Sequence, residues 1–300
     1  MKIFVTGGTG FVGAALTQRL LERGHHVTVT SSSGKTTLPD HLSLKFLKAD
    51  TSIAGDWQNQ LSDCNVVINL AGRSVFHLWS ESYKNQIYSS RIHTTRNIVD
   101  GLANKADTVL LSASAAGYYG DGGEKEKTEE SPAGTDFLAG VCRDWEGEAL
   151  KATEKGCRVA VMRFGVVMGA KGGAISTMKT PFLLGMGGPI GSGKQWFPWI
   201  HLQDLIDAIL FIMDGSNLQG PFNMTAPHMV RQKEFATSLG KILKRPAIIP
   251  APAFIMKSIL GEFGKSLLQG QKVLPNALTD SGYTFSYPKL EGALEEILRG

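Results

Sequence analysis

The sequence predicts an α/β fold: a doubly wound parallel sheet followed by a small C-terminal α+β lobe. Three observations carry this. The chain opens on a strand, a glycine turn and a helix; short apolar runs then alternate with helical stretches as far as Gly165; and beyond it the texture changes to glycine loops, aromatic residues and spaced prolines. Strand and helix periods in alternation are the pattern of a parallel sheet with right-handed crossovers.

Met1–Val5 is a short apolar run opening next to a basic residue, as expected for a strand buried on both faces. Thr6-Gly-Gly-Thr-Gly-Phe-Val-Gly13 follows, and Ala14–Glu22 reads as a helix. This is the setting of a dinucleotide fingerprint, here with glycines spaced three and three (Gly7, Gly10, Gly13). Gly7 permits the tight turn, Gly10 lets backbone approach a pyrophosphate, and Gly13 allows close packing of helix on strand. The helix N-terminus offers free N–H groups and its positive dipole end. Thr9, Phe11 and Val12 complete the phosphate-facing set. His25–Thr30 is the second strand, and its end decides the cofactor. An acid usually stands about 20 residues past the glycines to hold a ribose 2′-hydroxyl. This chain has Ser31-Ser32-Ser33-Gly34-Lys35, with no acid before Asp40. Hydroxyls and an ammonium suit a 2′-phosphate, which favours NADP over NAD.

Leu42–Leu47 reads as a third strand leading to Asp50, where a side chain would meet the adenine. Cys64–Leu70 is a buried fourth strand running into Ala71 and Gly72, small enough for backbone to pass near the cofactor. Ser80–Lys105 is helical in pattern, with Tyr83, Ile87, Ile92, Ile98, Val99 and Leu102 inward; Thr108–Ser112 is the fifth strand. Phe137–Lys155 is a helix and Arg158–Arg163 a sixth strand. Residues 1–167, with 198–225 returning to them, form the expected NADP-binding part; 168–197 and 226–300 form the expected substrate lobe.

Of 300 residues, 42% are apolar and 19% charged, and the net charge of +4 arises from scattered basic residues. No basic block points to nucleic acid, and no apolar stretch reaches membrane-spanning length. Three cysteines without metal spacing (Cys64, Cys142, Cys157) point to reduced thiols in a cytoplasm and to no metal site. Gly34-Lys35-Thr36 lacks the earlier glycine of a P-loop, since position 29 is Val, and H-E-x-x-H, C-x-x-C and G-x-S-x-G do not occur. The expected partner is a small molecule; apolar stripes on outer helices leave a homodimer open.

With these residues read, the chain resembles the extended short-chain dehydrogenase/reductase superfamily. The resemblance rests on the Thr6–Gly13 turn, Asn69-Leu-Ala-Gly72, Leu111-Ser-Ala-Ser-Ala-Ala-Gly-Tyr-Tyr-Gly120, Arg163-Phe-Gly-Val-Val and His201-Leu-Gln-Asp204. It is most similar to the NAD(P)-dependent epimerase/dehydratase-like branch of unassigned substrate, through Thr128-Glu-Glu-Ser-Pro132, Gly185–Gly193, Trp199-Ile-His201 and Leu268–Pro275. The resemblance implies a Rossmann-type domain, a C-terminal substrate lobe, and oxidoreductase or epimerase chemistry on a nucleotide sugar or other carbonyl compound. It also implies a Ser–Tyr–Lys set in which Tyr and Lys lie four apart on one helix face, the ammonium lowering a phenol pKa from about 10.

Ser114 matches the serine. The tyrosine and lysine positions fall on Phe137 and Val141, and none of the six tyrosines has Lys four residues later. Three readings follow. Tyr118 or Tyr119, at the C-terminal edge of the sheet, supplies the proton, with Cys142 contributing; the protein binds NADP as a sensor without turnover; or hydride transfer survives on orientation alone. Arg163, Trp199 and His201 are the substrate-side candidates. Arg163 would face an anionic ligand or pair with Glu129 or Glu130, and His201 with Asp204 would cap the following helix. Gly185–Gly193 reads as a lid or as a tight connection.

Overall fold

The computed structural model describes residues 1–36, 38–104 and 107–299. In chain order it contains β1 (Lys2–Thr6), α1 (Phe11–Glu22), β2 (His26–Ser31), β3 (Leu44–Lys48), β4 (Val66–Asn69), α2 (Glu81–Gly101) and β5 (Val109–Ala115). Then come β6 (Glu126–Lys127), α3 (Phe137–Leu150), β7 (Arg158–Phe164), β8 (Val166–Gly169), α4 (Gly173–Leu183), β9 (Trp196–Phe197) and β10 (Trp199–His201). The chain closes with α5 (Leu202–Asp214), β11 (Gly220–Met224), β12 (Val230–Arg231), α6 (Gln232–Leu243), α7 (Ala253–Ser266), β13 (Lys272–Val273), α8 (Asn276–Asp280) and α9 (Leu290–Arg299). Seven strands form one sheet in the order β11-β7-β5-β4-β1-β2-β3, parallel at every pairing.

The continuous apolar strands are explained by cover on both faces. Ile3 and Val5 of β1 join Val27, Val29, Ile68, Met162 and Met224 in a core closed by Leu16 and Leu20 of α1 and Leu205 and Ile209 of α5. Phe4, between them, points the other way and joins Val67, Leu110 and Val161 in a core closed by Trp57, Ile98 of α2 and Ala149 of α3. Alternate residues of one strand thus feed opposite cores, the period-2 consequence of a pleated strand. Burying each large side chain fully contributes about 1.5–3 kcal/mol.

The expected elements are present with revised ends. Helix α1 starts at Phe11 rather than Ala14, because the glycine turn hands directly into its first turn, with Gly10 as N-cap. The strict strand–helix alternation is interrupted: among the described residues no helix separates β2 from β3, and only a 3₁₀ turn (Asp56–Gln60) lies between β3 and β4. Helix α2 is capped by Ser80, whose side chain accepts from the Tyr83 N–H, and ends at Gly101; Lys105 lies outside the described residues. Strand β5 runs three residues further than its apolar stretch, which places Ser114 inside it. Helix α3 begins where the Asp136 carboxylate takes the Ala139 N–H, at 2.9 Å.

A third core gathers Met168, Ile175 and Phe182 with Trp199, Phe235, Leu239, Leu290, Leu294 and Ile297. Trp199, expected on the substrate side, is 1% exposed in this core, with its indole N–H on the His228 carbonyl at 3.2 Å. The Gly185–Gly193 loop is tied down rather than free. Gly191 N donates to Ala251 O at 2.8 Å and Ala251 N to Pro189 O at 2.9 Å. No described helix is long and apolar enough to cross a membrane.

Candidate nucleotide and active site

The glycine turn lies at the β1–β4 junction, where the strand order reverses, the place at which open α/β sheets bind ligands. Gly7 has φ +67°, and a Cβ there would fall 2.9 Å from the Leu70 carbonyl oxygen. A Cβ at Gly13 would land on the Gly7 carbonyl oxygen and 2.8 Å from Gly8 Cα. Gly10 donates its N–H to Gly7 O at 2.9 Å, closing the turn. No side chain caps α1 and no acid lies in its first turn, so the N–H groups there are available to an anion. Leu70, Ala71 and Gly72 continue from β4 beside this turn. Beneath it the Thr6 hydroxyl donates to Asn69 Oδ1 (2.7 Å), and Asn69 Nδ2 reaches Thr95 Oγ1 (2.8 Å) and Ser112 Oγ (3.3 Å). The Phe11 ring turns away, against the Gly169–Gly173 turn: Cβ atoms at Gly169 and Gly173 would lie 3.0 Å and 2.7 Å from it.

At the end of β2, Ser31 and Ser33 hydroxyls lie 3.1 Å apart, and Lys35 N donates to Ser33 Oγ at 3.2 Å. Ser32 and Lys35 are exposed. Lys48, at the end of β3, lies along Gly34, where a Cβ would sit 2.9 Å from Lys48 Cδ. It brings a second ammonium to this loop, and the β2–β3 pairing, not sequence proximity, puts it there. Asp50 accepts from Ser52 N and Oγ (3.0 and 2.7 Å), so one of its oxygens is used in a local turn.

The C-terminal edge of β5 and β7 holds a buried polar cluster. Ser114 Oγ donates to Glu146 Oε1 at 2.6 Å. Arg163 grips the same carboxylate with Nε at 2.9 Å and Nη2 at 2.8 Å. Arg163 Nη1 donates to Tyr119 OH (2.8 Å) and Glu129 O (3.0 Å), and Tyr119 OH donates to Asn223 Oδ1 at 2.6 Å. The Glu129 carboxylate takes the N–H groups of Asn223 (3.0 Å) and Ala277 (3.1 Å). Burial by itself would lower the Arg163 pKa, but the Glu146 hydrogen bonds and charge raise it above the ordinary arginine range.

This cluster corrects several expectations. Arg163 is 4% exposed and makes four hydrogen bonds, so it pairs with Glu146 rather than an anionic ligand, and it takes Glu129 by its backbone oxygen. Tyr119 is also inside, its phenol pushed up to about 12 by burial despite Arg163 and Asn223, which makes it a poor proton donor. The Cys142 thiol is enclosed, and burial, then the Glu146 charge, push it up to about 11; it is a neutral thiol. His201 caps α5, accepting from Gln203 N at 3.1 Å while its Nε2 meets Glu296 at 2.9 Å. Asp204 accepts from Ser286 N and Tyr287 N (2.7 and 2.9 Å), fastening the C-terminal segment. Tyr118 is different: half-buried, its ring lies 3.6 Å under the Arg163 guanidinium, and its hydroxyl has no hydrogen bond among the described residues. Glu146 escaped the sequence reading; the signal was an acid on the inward α3 stripe of Val141, Cys142, Trp145 and Ala149, where a charge needs a partner.

Phe137 and Val141 stand in an apolar cluster with Ile87, Ile92, Ala113 and Trp145. Over it, Trp79 meets Phe137 edge-on at 5.4 Å and Phe263 at 5.8 Å, and Lys84 bridges to Glu262 at 2.9 Å. Helix α7 is thereby held to the start of α2 and to the segment before it.

A doubly wound sheet with a glycine turn at its reversal point and an uncapped helix behind it defines a nucleotide-binding α/β protein. The chain belongs to the NAD dependent epimerase/dehydratase family, whose model matches residues 3–224; residues 251–297 match a domain of unknown function. It is 41% identical over 303 residues to the chloroplastic Epimerase family protein SDR39U1 homolog of Arabidopsis thaliana, covering 100% of this chain and 87% of that one. The crystal structure of human epimerase family protein SDR39U1 (isoform 2) with NADPH superposes with a TM-score of 0.85 at 33% identity, covering 100% of both chains. The nucleoside-diphosphate sugar epimerase of Corynebacterium glutamicum gives a TM-score of 0.78 at 31% identity, over 99% of this chain and 58% of that one.

Proposed function

We propose that the chain binds NADPH and assists hydride transfer at a carbon bearing oxygen, in carbonyl reduction or within an epimerisation or dehydration. The observation that carries this is the glycine turn opening on an uncapped α1, with a loop bearing Lys35 and Lys48 at the neighbouring strand ends. The SDR39U1 structure with NADPH supports it. A bound nicotinamide dinucleotide supplies the hydride. The chain's residues do the rest: the Gly7–Gly13 amides hold the diphosphate, Ser31–Lys35 and Lys48 hold the 2′-phosphate, and Leu70–Gly72 lets the nucleotide pass. Residues 1–167 and 198–225 make this nucleotide-binding part; 168–197 and 226–300 make the lobe facing the substrate.

Tyr118 is the proton donor in this reading, because its phenol is uncommitted where Tyr119 and Cys142 are not. Ser114 orients through Glu146. The test of cofactor choice is a fluorescence titration with NADPH and NADH. NADPH is expected to bind about 10- to 100-fold more tightly, the worth of charge-assisted contacts, and the K35A/K48A double variant to lose that preference. Equal affinity for both would overturn the phosphate pocket, and binding of neither would overturn the nucleotide reading. Tyr118→Phe is expected to retain NADPH affinity and slow NADPH consumption with a carbonyl panel by about 10²-fold or more. A second reading, binding without turnover, draws on Phe137 and Val141 filling the Tyr and Lys positions; no consumption by the parent protein across the panel would favour it.

A further inference from the structure

Helix α7 carries six large apolar side chains, yet of its fourteen described residues Gly264 alone is buried. A helix on a folded domain ordinarily turns its apolar stripe inward. The far end of α7 is anchored, through Phe263 against Phe76 and Trp79 and through Glu262 on Lys84. Gly261 leaves the helical region (φ +57°), and ahead of this kink Phe254, Ile255 and Ile259 face solvent. Ile255 and Ile259 stand four residues apart, on one side of the helix. The chain just before α7 lies along the loop that follows α4: Ile249 N donates to Gly187 O at 3.2 Å, and Ala251 N to Pro189 O at 2.9 Å. The exposed Ile248 and Ile249 are thus brought beside the loop carrying the exposed Leu184 and Met186. Of the fourteen large apolar side chains exposed among the described residues, eight lie at 183–186 and 248–259, each 39–79% exposed. Contiguous exposed apolar surface of this kind marks an interaction site.

The charge of the chain is gathered at the same place. Residues 176–191 and 241–265 hold six basic residues and one acid, against 25 and 26 in the rest, so the whole positive excess lies here. Lys241, Lys244, Arg245, Lys257 and Lys265 are exposed, and Lys179 is half-buried. None of the six has a carboxylate partner among the described residues, whereas exposed cations elsewhere do: Lys2 with Asp63, Arg23 with Asp214 and Arg299 with Glu295. The one acid, Glu262, is engaged by Lys84 at 2.9 Å. Unpaired cations around an apolar patch select an anionic partner. A second copy of this face would bring like charges together. A nucleic-acid backbone would leave the large apolar side chains against phosphate and sugar. A bilayer with anionic headgroups matches both features, since apolar side chains enter the acyl boundary while lysine stems carry their ammonium groups out to the headgroups. Docking of this kind lies in the plane of the interface and needs no spanning helix.

We propose that the first half of α7, with the 248–249 segment and the loop after α4, is a docking face for the surface of an anionic phospholipid bilayer. The proposal is independent of the NADPH reading above. Flotation of the full-length protein with phosphatidylcholine vesicles, and with vesicles of phosphatidylcholine and phosphatidylglycerol in equal parts, tests it. The parent is expected to bind the mixed vesicles at least about 10-fold more tightly, because each basic residue near an anionic surface is worth about five-fold, and salt is expected to weaken the binding. K244Q/K257Q is expected to lose about 10- to 30-fold on mixed vesicles. F254S/I259S is expected to lose about 10-fold or more through its missing apolar contacts. All four positions are exposed, and urea unfolding of each variant checks that the fold is kept. Ile255→Trp supplies a second readout: its added fluorescence is expected to shift to the blue on mixed vesicles and to be quenched by brominated lipid. A parent that stays unbound with mixed vesicles at low salt overturns the proposal. Parent-like binding by F254S/I259S, with the Trp at position 255 unquenched, also overturns it, since the cations alone would then adsorb the protein. A lipid-free parent that sediments as a dimer, and that F254S/I259S turns into a monomer, overturns it in favour of a second copy.

Discussion

Replacing Gly13 by alanine is expected to lower NADPH affinity by about 100-fold or more and to destabilise the chain by about 1–3 kcal/mol, the usual cost of overpacking. The added methyl would land on the Gly7 carbonyl oxygen and 2.8 Å from Gly8 Cα. Neither can retreat. Gly7 already lies against the Leu70 carbonyl, and a Cβ at Gly8 would stand 2.6 Å from the Val29 side chain, so the turn is backed by two strands. The helix must move instead, and its first-turn N–H groups move with it. Gly147→Ala is the control: it is exposed within α3 and a Cβ there meets nothing within 4 Å, so a gain of about 0.5–1 kcal/mol in helix propensity is expected with unchanged binding. NADPH titration and urea unfolding read both variants. Parent-like binding by Gly13→Ala would show that the phosphate does not sit at this helix end.

Glu146→Ala is expected to cost about 3–5 kcal/mol of stability, because it strands a buried guanidinium. Glu146 is 7% exposed and receives Arg163 in two places as well as the Ser114 hydroxyl. The loss spreads further, since Arg163 also holds Tyr119 and the Glu129 carbonyl, and Tyr119 holds Asn223 of β11. Replacing both charged partners by apolar residues, as in E146L/R163M, is expected to recover most of the loss, because an apolar pair of similar volume leaves no buried charge. Urea unfolding of E146L, R163M and the double variant closes the cycle. A cost below about 1 kcal/mol for Glu146→Ala would mean that water reaches the pair and that the cluster is less buried than its 4–8% side-chain exposures indicate.

The local pattern was enough for the nucleotide end of the molecule. The apolar run of Lys2–Thr6, the three glycines and the helix behind them are neighbours in sequence, and their roles follow from backbone geometry that any chain with those residues obeys. The strands at β4, β5 and β7 were legible because burial on both faces leaves an uninterrupted apolar run, and β2 because Val27 and Val29 alternate with threonines of high strand propensity. The two- and three-residue strands β6, β9, β10, β12 and β13 carry too few residues for a period to show.

The reactive end was decided in three dimensions. Ser114, Glu146 and Arg163 come from one strand, one helix and another strand, and only their assembly shows that Arg163 faces a carboxylate of its own chain. Trp199 had the residue type of a binding site, but packing gave it to a core; His201 caps α5 as its place before the helix suggested, while Asp204, expected to share that cap, fastens the C-terminal segment. Lys48 carried no local signal, since an isolated cation in a sequence reads as solvated surface. Sequence alone determined which backbone can approach a phosphate, because that depends on missing side chains. Tertiary structure decided which charges have partners and which do not, because a charge is satisfied by whatever the fold brings to it.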